Sequence, residues 1–393
     1  MDTLPEELIG TIIQYVEDQE SIKSCALTAT LFREPSQRIL WHIWRFGGDG
    51  DDANAYQTLY SMFDESPHLS QYIRIATFCL PPPDRVLSQI DYLQPLLAKF
   101  THLRHFLLAS DEGQIEWRDL SPRISEALVV FLASQTLEAL HICSIDHFPL
   151  DLMALTLSAS ATVGFIDVSV GEDPHMIDAQ RPMCVENLIL SENSRDVAEA
   201  LIRPQFASCI SRLRRLWIRI EWEQELSGIL ASAGSQLEEI CFASSDRTLD
   251  LKLFPALPAL RFARIQLHLA APYQRSWLVD AMRALLASPA VEVITIEISD
   301  PTIGRLLIAL DALAPLLRTG FAPVLQWELD VEDYHDDAGA RLVDEFRERV
   351  ASTLPEMYRV GRVVVRQAEG SDHGLFWPGG TVIMAPRLPS YLD

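Results

Sequence analysis

The chain has 393 residues, of which 48% are hydrophobic and 22% charged, a composition that excludes wholesale disorder. Thirty-two basic against 55 acidic side chains leave a formal charge of −23, so phosphate backbones are repelled over most of the surface and a general nucleic-acid binder is excluded. That length suits two or three domains or one elongated repeat array.

The first 45 residues read as three short helices. Thr3 and Glu6 match a capping box, and Pro5 falls in the first turn, where its missing N–H costs nothing. Leu8, Ile9, Ile12, Ile13 and Val16 follow at helical spacing and cover a face too wide for one neighbour. A second helix around Ser21 to Ala29 brings Ile22, Cys25, Ala26 and Leu27. A third around Pro35 to Trp44 brings Ile39, Leu40, Trp41, Ile43 and Trp44. A segment this short hides only roughly 60% of its unfolded surface. The excess apolar area belongs against the rest of the chain or against another protein.

Leu4-Pro5-Glu6-Glu7-Leu8, Ile12-Ile13, the run Ile22 to Leu27, Phe32 and Leu40-Trp41 resemble an F-box domain, in particular the fungal form. The likeness covers roughly a ninth of the chain. It implies docking onto the Skp adaptor subunit of a cullin–RING ubiquitin ligase through Leu4, Pro5, Leu8, Ile9, Ile12 and the Leu27 region. Thr28 departs from the family, which usually has an apolar residue there. The alternative is a helical cap that packs only on its own repeats.

Residues 46–67 break the pattern. GGDGDDAN is acidic and Gly-rich and reads as a solvated linker. Asp49, Asp51 and Asn54 suggest a calcium loop, but Tyr60 stands where the bidentate glutamate is needed. No metal is expected.

From residue 68 to 368 a strand core of the form apolar-x-x-apolar-x-apolar recurs. Copies are Leu103-Phe106-Leu108, Leu137-Leu140-Ile142, Val163-Ile166-Val168, Val185-Leu188-Leu190, Leu213-Leu216-Ile218 and Leu237-Ile240-Phe242. They continue with Leu260-Ala263-Ile265, Val291-Ile294-Ile296, Val324-Trp327-Leu329 and Val360-Val363-Val365, and Ile73-Ala76-Phe78 is a candidate opening copy. Helix-like segments precede most copies, over Ile90 to Phe100, Ile124 to Ala133, Val197 to Ile202, Leu226 to Ala233, Trp277 to Ala287, Ile303 to Leu317 and Leu342 to Leu354. One strand–helix unit cannot bury its own apolar face, so this period indicates an α/β solenoid. It resembles an irregular leucine-rich-repeat array with parallel strands on one face and helices on the other. It departs from the regular repeat because the asparagine ladder survives only at Asn193 and the repeat length wanders. An ordinary parallel α/β sheet and two stacked subdomains are the competing folds. Residues 369–393 carry turn signals at Pro378-Gly379-Gly380 and read as a closing tail.

Six scattered cysteines lack CxxC spacing, which argues against zinc sites and a disulfide framework. No stretch reaches the roughly 18 apolar residues that span a bilayer. Acids at Asp2, Glu6 and Glu7 stand where a secretory signal needs basic residues. The expectation is a reduced compartment, cytoplasmic or nuclear.

Catalytic signatures are missing: no G-x-S-x-G elbow, no P-loop, no H-E-x-x-H and no kinase set. His102, His105, His141 and His147 flank strand starts and ends and read as surface strand residues. Asp330, Glu332, Asp333, His335, Asp336 and Asp337 read as a solvated loop entering a helix near Ala338. No enzyme activity and no cofactor are expected.

Strand residues pointing away from the core form columns on one surface. The middle copies place Arg214, Arg215, Trp217 and Arg219 beside Glu238, Glu239 and Cys241, then Arg261, Phe262 and Arg264. Two readings stay open. The arginines hold an acidic or phosphorylated client segment with Trp217 as anchor, or they face Glu238 and Glu239 in a ladder of ion pairs. The functional expectation is a substrate-recognition adaptor, monomeric outside its complex. Its F-box would grip the Skp adaptor and its solenoid a client protein. A repeat scaffold with no ligase is the alternative.

Overall fold

The opening apolar run folds as α1 (Glu6–Gln14), α2 (Gln19–Thr28) and α3 (Thr30–Leu40). Asp18 caps α2 by accepting the Ser21 amide at 2.7 Å, satisfying one of the donors that a helix start leaves open. The computed structural model describes residues 5–16, 18–47, 55–80, 90–110, 113–171, 185–191, 193–220, 223–244, 254–268, 274–299, 301–318, 323–331, 334 and 338–368. Leu4, Thr3, the GDGDDAN run, Glu332, Asp333, residues 335–337 and the tail from 369 lie outside them.

The chain divides into two compact units, Met1–Cys184 and Val185–Asp393. In the first, the strands are β1 (Ile43–Gly47), β2 (Ile75–Leu80), β3 (His105–Ser110), β4 (Ile115–Glu116), β5 (Leu137–Phe148) and β6 (Ser160–Val170). They pair in parallel in the order β1-β2-β3-β5-β6, with β4 added to the end of β5. Helices Leu93–Leu97, Pro122–Ser134 and Leu150–Ala159 lie in the connections and stack in that order. The side chains facing them make the core. Phe46 stacks on Phe78 at 5.0 Å between ring centroids, and Phe100 joins Phe46 to Phe63.

The second unit carries β7 (Asn187–Leu190), β8 (Arg215–Ile220), β9 (Glu239–Ser244), β10 (Phe262–His268), β11 (Val293–Ser299), β12 (Val324–Leu329) and β13 (Val363–Gln367). Each pairs in parallel with the next in sequence. Helices Gln274–Leu286, Ile303–Leu317 and Ala338–Thr353 stack beside one another on this unit. Parallel strands alternating with helices, each strand beside its sequence neighbour, are what stacked strand–helix repeats require.

Every expected strand core falls on a strand, but Phe165 is buried where Ile166 was expected, and Val360 is exposed ahead of β13. Three local differences have clear causes. The third helix stops at Leu40, and Ile43 and Trp44 belong to β1; Trp41 and Trp44 stack at 4.7 Å across that turn. A dense apolar run such as Ile39 to Trp44 carries no period that separates helix from strand. Residues 55–65, expected in a solvated linker, form a helix that buries Tyr56 and Phe63. A helix also fills Leu150–Ala159, sealed on nearly every side, so no polar face marks its turn.

Candidate interaction surfaces

α1 is apolar on two adjacent sides. Its inner side places Ile9 and Ile13 with Ile22 of α2 in a closed core, joined by Val16, Cys25, Phe32, Ile39 and Leu40. Ile9, expected on the docking face, is 2% exposed and belongs to this core. The outer side carries Pro5, Leu8, Ile12 and Tyr15, at spacings of three, four and three residues, so they form one stripe. Leu8 and Ile12 are 50% and 49% exposed, and the junction of α2 and α3 adds Leu27 at 86% and Leu31 at 54%. The three helices pack chiefly on one another. Large aliphatic side chains left in water at this density mark an interaction site. Thr28 donates its hydroxyl to the Ser24 carbonyl at 2.7 Å, which satisfies it within α2.

The strand face of the second unit carries the expected arginines, and each of them with a described side chain has an acid beside it. Arg214 meets Glu238 at 3.8 Å, Arg215 meets Glu239 at 3.7 Å and Arg261 meets Glu292 at 2.8 Å. Arg264 bridges Glu297 at 2.7 Å and Glu328 at 2.9 Å. Arg366 also pairs with Glu328, and the Gln326 amide donates to the same carboxylate. Glu328 is buried, and two guanidiniums compensate its desolvation. Burial pushes the Glu239 carboxyl up, against the pull of Arg215 and Arg264, whereas the hydrogen bond from Arg261 draws Glu292 down. Trp217 is half-buried between Ile189 and Cys241 in the register, and Phe262 is exposed. The side chain of Arg219 lies outside the described residues. The grouping is therefore an ion-pair ladder of nearly balanced charge. Its acids on β11, β12 and the turn before β11 lay outside the copies compared in the sequence.

His105 and His141 correct their surface assignment. Both are buried, on β3 and β5, with Nδ1 atoms that have no hydrogen-bond partner. Burial first, then the nearby His105, lowers His141 to about 4. Among the described residues no three His, Cys, Asp or Glu side chains are grouped to hold a metal ion. No helix of the described residues is long and apolar enough to cross a membrane.

No family model matches this chain, and no curated protein matches it either.

Proposed function

We propose that the chain is the substrate-recognition adaptor of a cullin–RING ubiquitin ligase. α1 to α3 form an F-box that docks a Skp-type adaptor subunit, and the leucine-rich-repeat-like strands and helices present a surface to a client protein. The observation that carries the reading is the outer stripe of α1, Leu8 and Ile12, continued by Leu27 and Leu31 and left in water while Ile9, Ile13 and Ile22 are sealed beneath it. A cap that existed only to close its own repeats would turn that stripe inward.

The chain then contributes proximity rather than bond-making: holding client and ubiquitin-loaded enzyme on one assembly raises their effective concentration, to about millimolar for short flexible links. The client lies across the strand face, on the reading that residues such as Trp217 and Phe262 supply its apolar contacts and Arg214, Arg215, Arg219, Arg261 and Arg264 its polar ones. The place of action is the cytoplasm or nucleus.

The test is co-purification with a Skp-type adaptor subunit. Wild type is expected to form a stable complex, and Pro5→Ala combined with Leu8→Asp to lose it while keeping its circular dichroism. Absence of any complex with wild type removes the ligase reading and leaves a repeat scaffold.

A further inference from the structure

The residue before each strand falls in one row along the N-terminal edge of the strands, because its carbonyl accepts the two amides that open the next strand. In the second unit the row runs Glu186, Arg214, Glu238, Arg261, Glu292, with each carbonyl taking the next pair of amides. Acid and base alternate over these five positions, and with Pro323 and Arg362 before the last two strands the row holds three acids and three bases.

The same row in the first unit runs His42, Arg74, Arg104, Glu138. Here two arginines are consecutive, and the one acid of the row pairs with the second of them. Arg104 reaches Glu138 at 3.5 Å. Arg74 spends Nη1 on two carbonyls, those of Gln71 at 2.7 Å and His102 at 3.1 Å. Among the described residues no carboxylate pairs with it. Partial burial first, and then the charges of Arg74, His105 and Arg104, hold His42 below the usual histidine value. In a chain of charge −23, this edge is locally positive.

The positive edge opens onto a hollow. Between α1, the start of α2 and the end of α3 lies a space of about 570 Å³ with Ile22, Ile39, Leu40 and Ile43 for its apolar lining and Gln14, Gln19, Arg38 and His42 for its polar lining. Ile43, on the terminal strand β1, is exposed. The floor is aliphatic, Arg38 at its rim is paired with Glu34 at 2.6 Å, and the hollow shares His42 with the edge that carries Arg74 and Arg104. Neighbouring strands lie about 4.8 Å apart, so His42 to Arg104 spans about 10 Å, the reach of three residues of extended chain.

We propose that this hollow and the Arg74–Arg104 edge bind an extended acidic peptide segment of a partner protein, with one aliphatic side chain in the hollow and its carboxylates on the two guanidiniums. The occupant follows from complementarity: an apolar hollow excludes a purely charged ligand, and two consecutive arginines with one acid between them select carboxylates over amides. The site belongs to the first unit, uses none of the strand-face residues assigned to the client, and stands whether or not the outer stripe of α1 docks a ligase.

The probe is a fluorescein-labelled Gly-Ser peptide bearing one leucine followed by three glutamates, titrated with the full chain by anisotropy. Saturable binding is expected, weakened about tenfold or more by Arg104→Glu and progressively by salt. Glutamines in place of the glutamates, or serine in place of the leucine, are expected to weaken it as well. Arg283→Gln, whose guanidinium pairs with Asp280 on a helix of the second unit, is expected to leave it unchanged. Arg74→Glu releases two carbonyls and risks the fold, so Arg104→Glu, whose exposed guanidinium pairs with Glu138, decides the matter. No binding by wild type, equal binding by Arg104→Glu, or equal affinity for an RNA oligonucleotide of the same charge overturns the proposal. Adaptor co-purification with the same Arg104→Glu chain is expected to persist, which separates failure of this site from failure of the F-box reading.

Discussion

His141 stands on β5 opposite Gly164 of β6, and the two residues explain each other. A Cβ at Gly164 would collide with the imidazole at Cδ2, so the glycine is the space the ring occupies. The ring is 2% exposed, and its Nδ1 has no partner, which penalises the charged form. An unfolded histidine titrates near 6.5 and this one at about 4. Between those values the unfolded chain binds a proton that the folded chain does not, so stability falls as pH drops from 6.5 to 4. The difference corresponds to about 3 kcal/mol when complete. His42 and His105, both also lowered chiefly by burial, act with the same sign, and Glu138 beside His105 opposes it. Urea midpoints measured from pH 7 to pH 4 are expected to fall steeply for wild type and less for His141→Leu. Parallel profiles would show that the ring is solvated.

α1 shows what a nine-residue helix does with three kinds of face. Ile9 and Ile13 hold the helical core, Leu8 and Ile12 face water, and Gly10, on neither of these faces, has no atom within 4 Å of where its Cβ would be. A mid-helix glycine costs about 1 kcal/mol relative to alanine, and no packing at Gly10 requires it. Gly10→Ala is therefore expected to raise stability by up to about 1 kcal/mol, and Ile13→Ala to lower it by about 2–4 kcal/mol. Leu8→Ala should stay within about 0.5 kcal/mol. Denaturant titration of the three variants checks the order, and a large loss at Leu8 would mean that the stripe is packed. The doubled apolar face was legible in sequence because five large aliphatics crowd residues 8–16, but which side was sealed was not. Both sides have helical spacing, and only the position of Ile22 decides. Most strand cores were legible for a different reason: apolar residues three and five places on point inward where a parallel strand meets its helix, the exception being β6, where Phe165 rather than Ile166 is buried. The helix over 55–65 was missed because Tyr56 and Phe63, spaced seven apart, sit behind an acidic glycine run that dominates the local pattern. The ion-pair ladder was half legible. Glu238 and Glu239 lie in the strand next to Arg214 and Arg215, whereas Glu328 reaches Arg264 from 64 residues away, a distance no local pattern spans.

Across the whole chain the charges are separated by role. The described ladders of the second unit are close to neutral: Arg214, Arg215, Arg261, Arg264 and Arg366 stand against Glu238, Glu239, Glu292, Glu297 and Glu328. The −23 excess therefore resides elsewhere, on side chains that repel one another through water. Screening acts on the two populations in opposite directions. It weakens exposed pairs, each of which contributes at most about 1 kcal/mol, and it relieves long-range repulsion that grows with the square of net charge. Glu328, buried between Arg264 and Arg366, is shielded from added salt. Repulsion is the larger of the two salt-sensitive quantities, so the thermal midpoint is expected to rise as sodium chloride goes from about 20 mM to about 200 mM, where the screening length shortens from roughly 20 Å to under 10 Å. Calorimetry at fixed pH measures it. A midpoint that falls with salt would mean that the exposed Arg–Glu pairs, and not the acidic excess, set the electrostatic stability of the molecule.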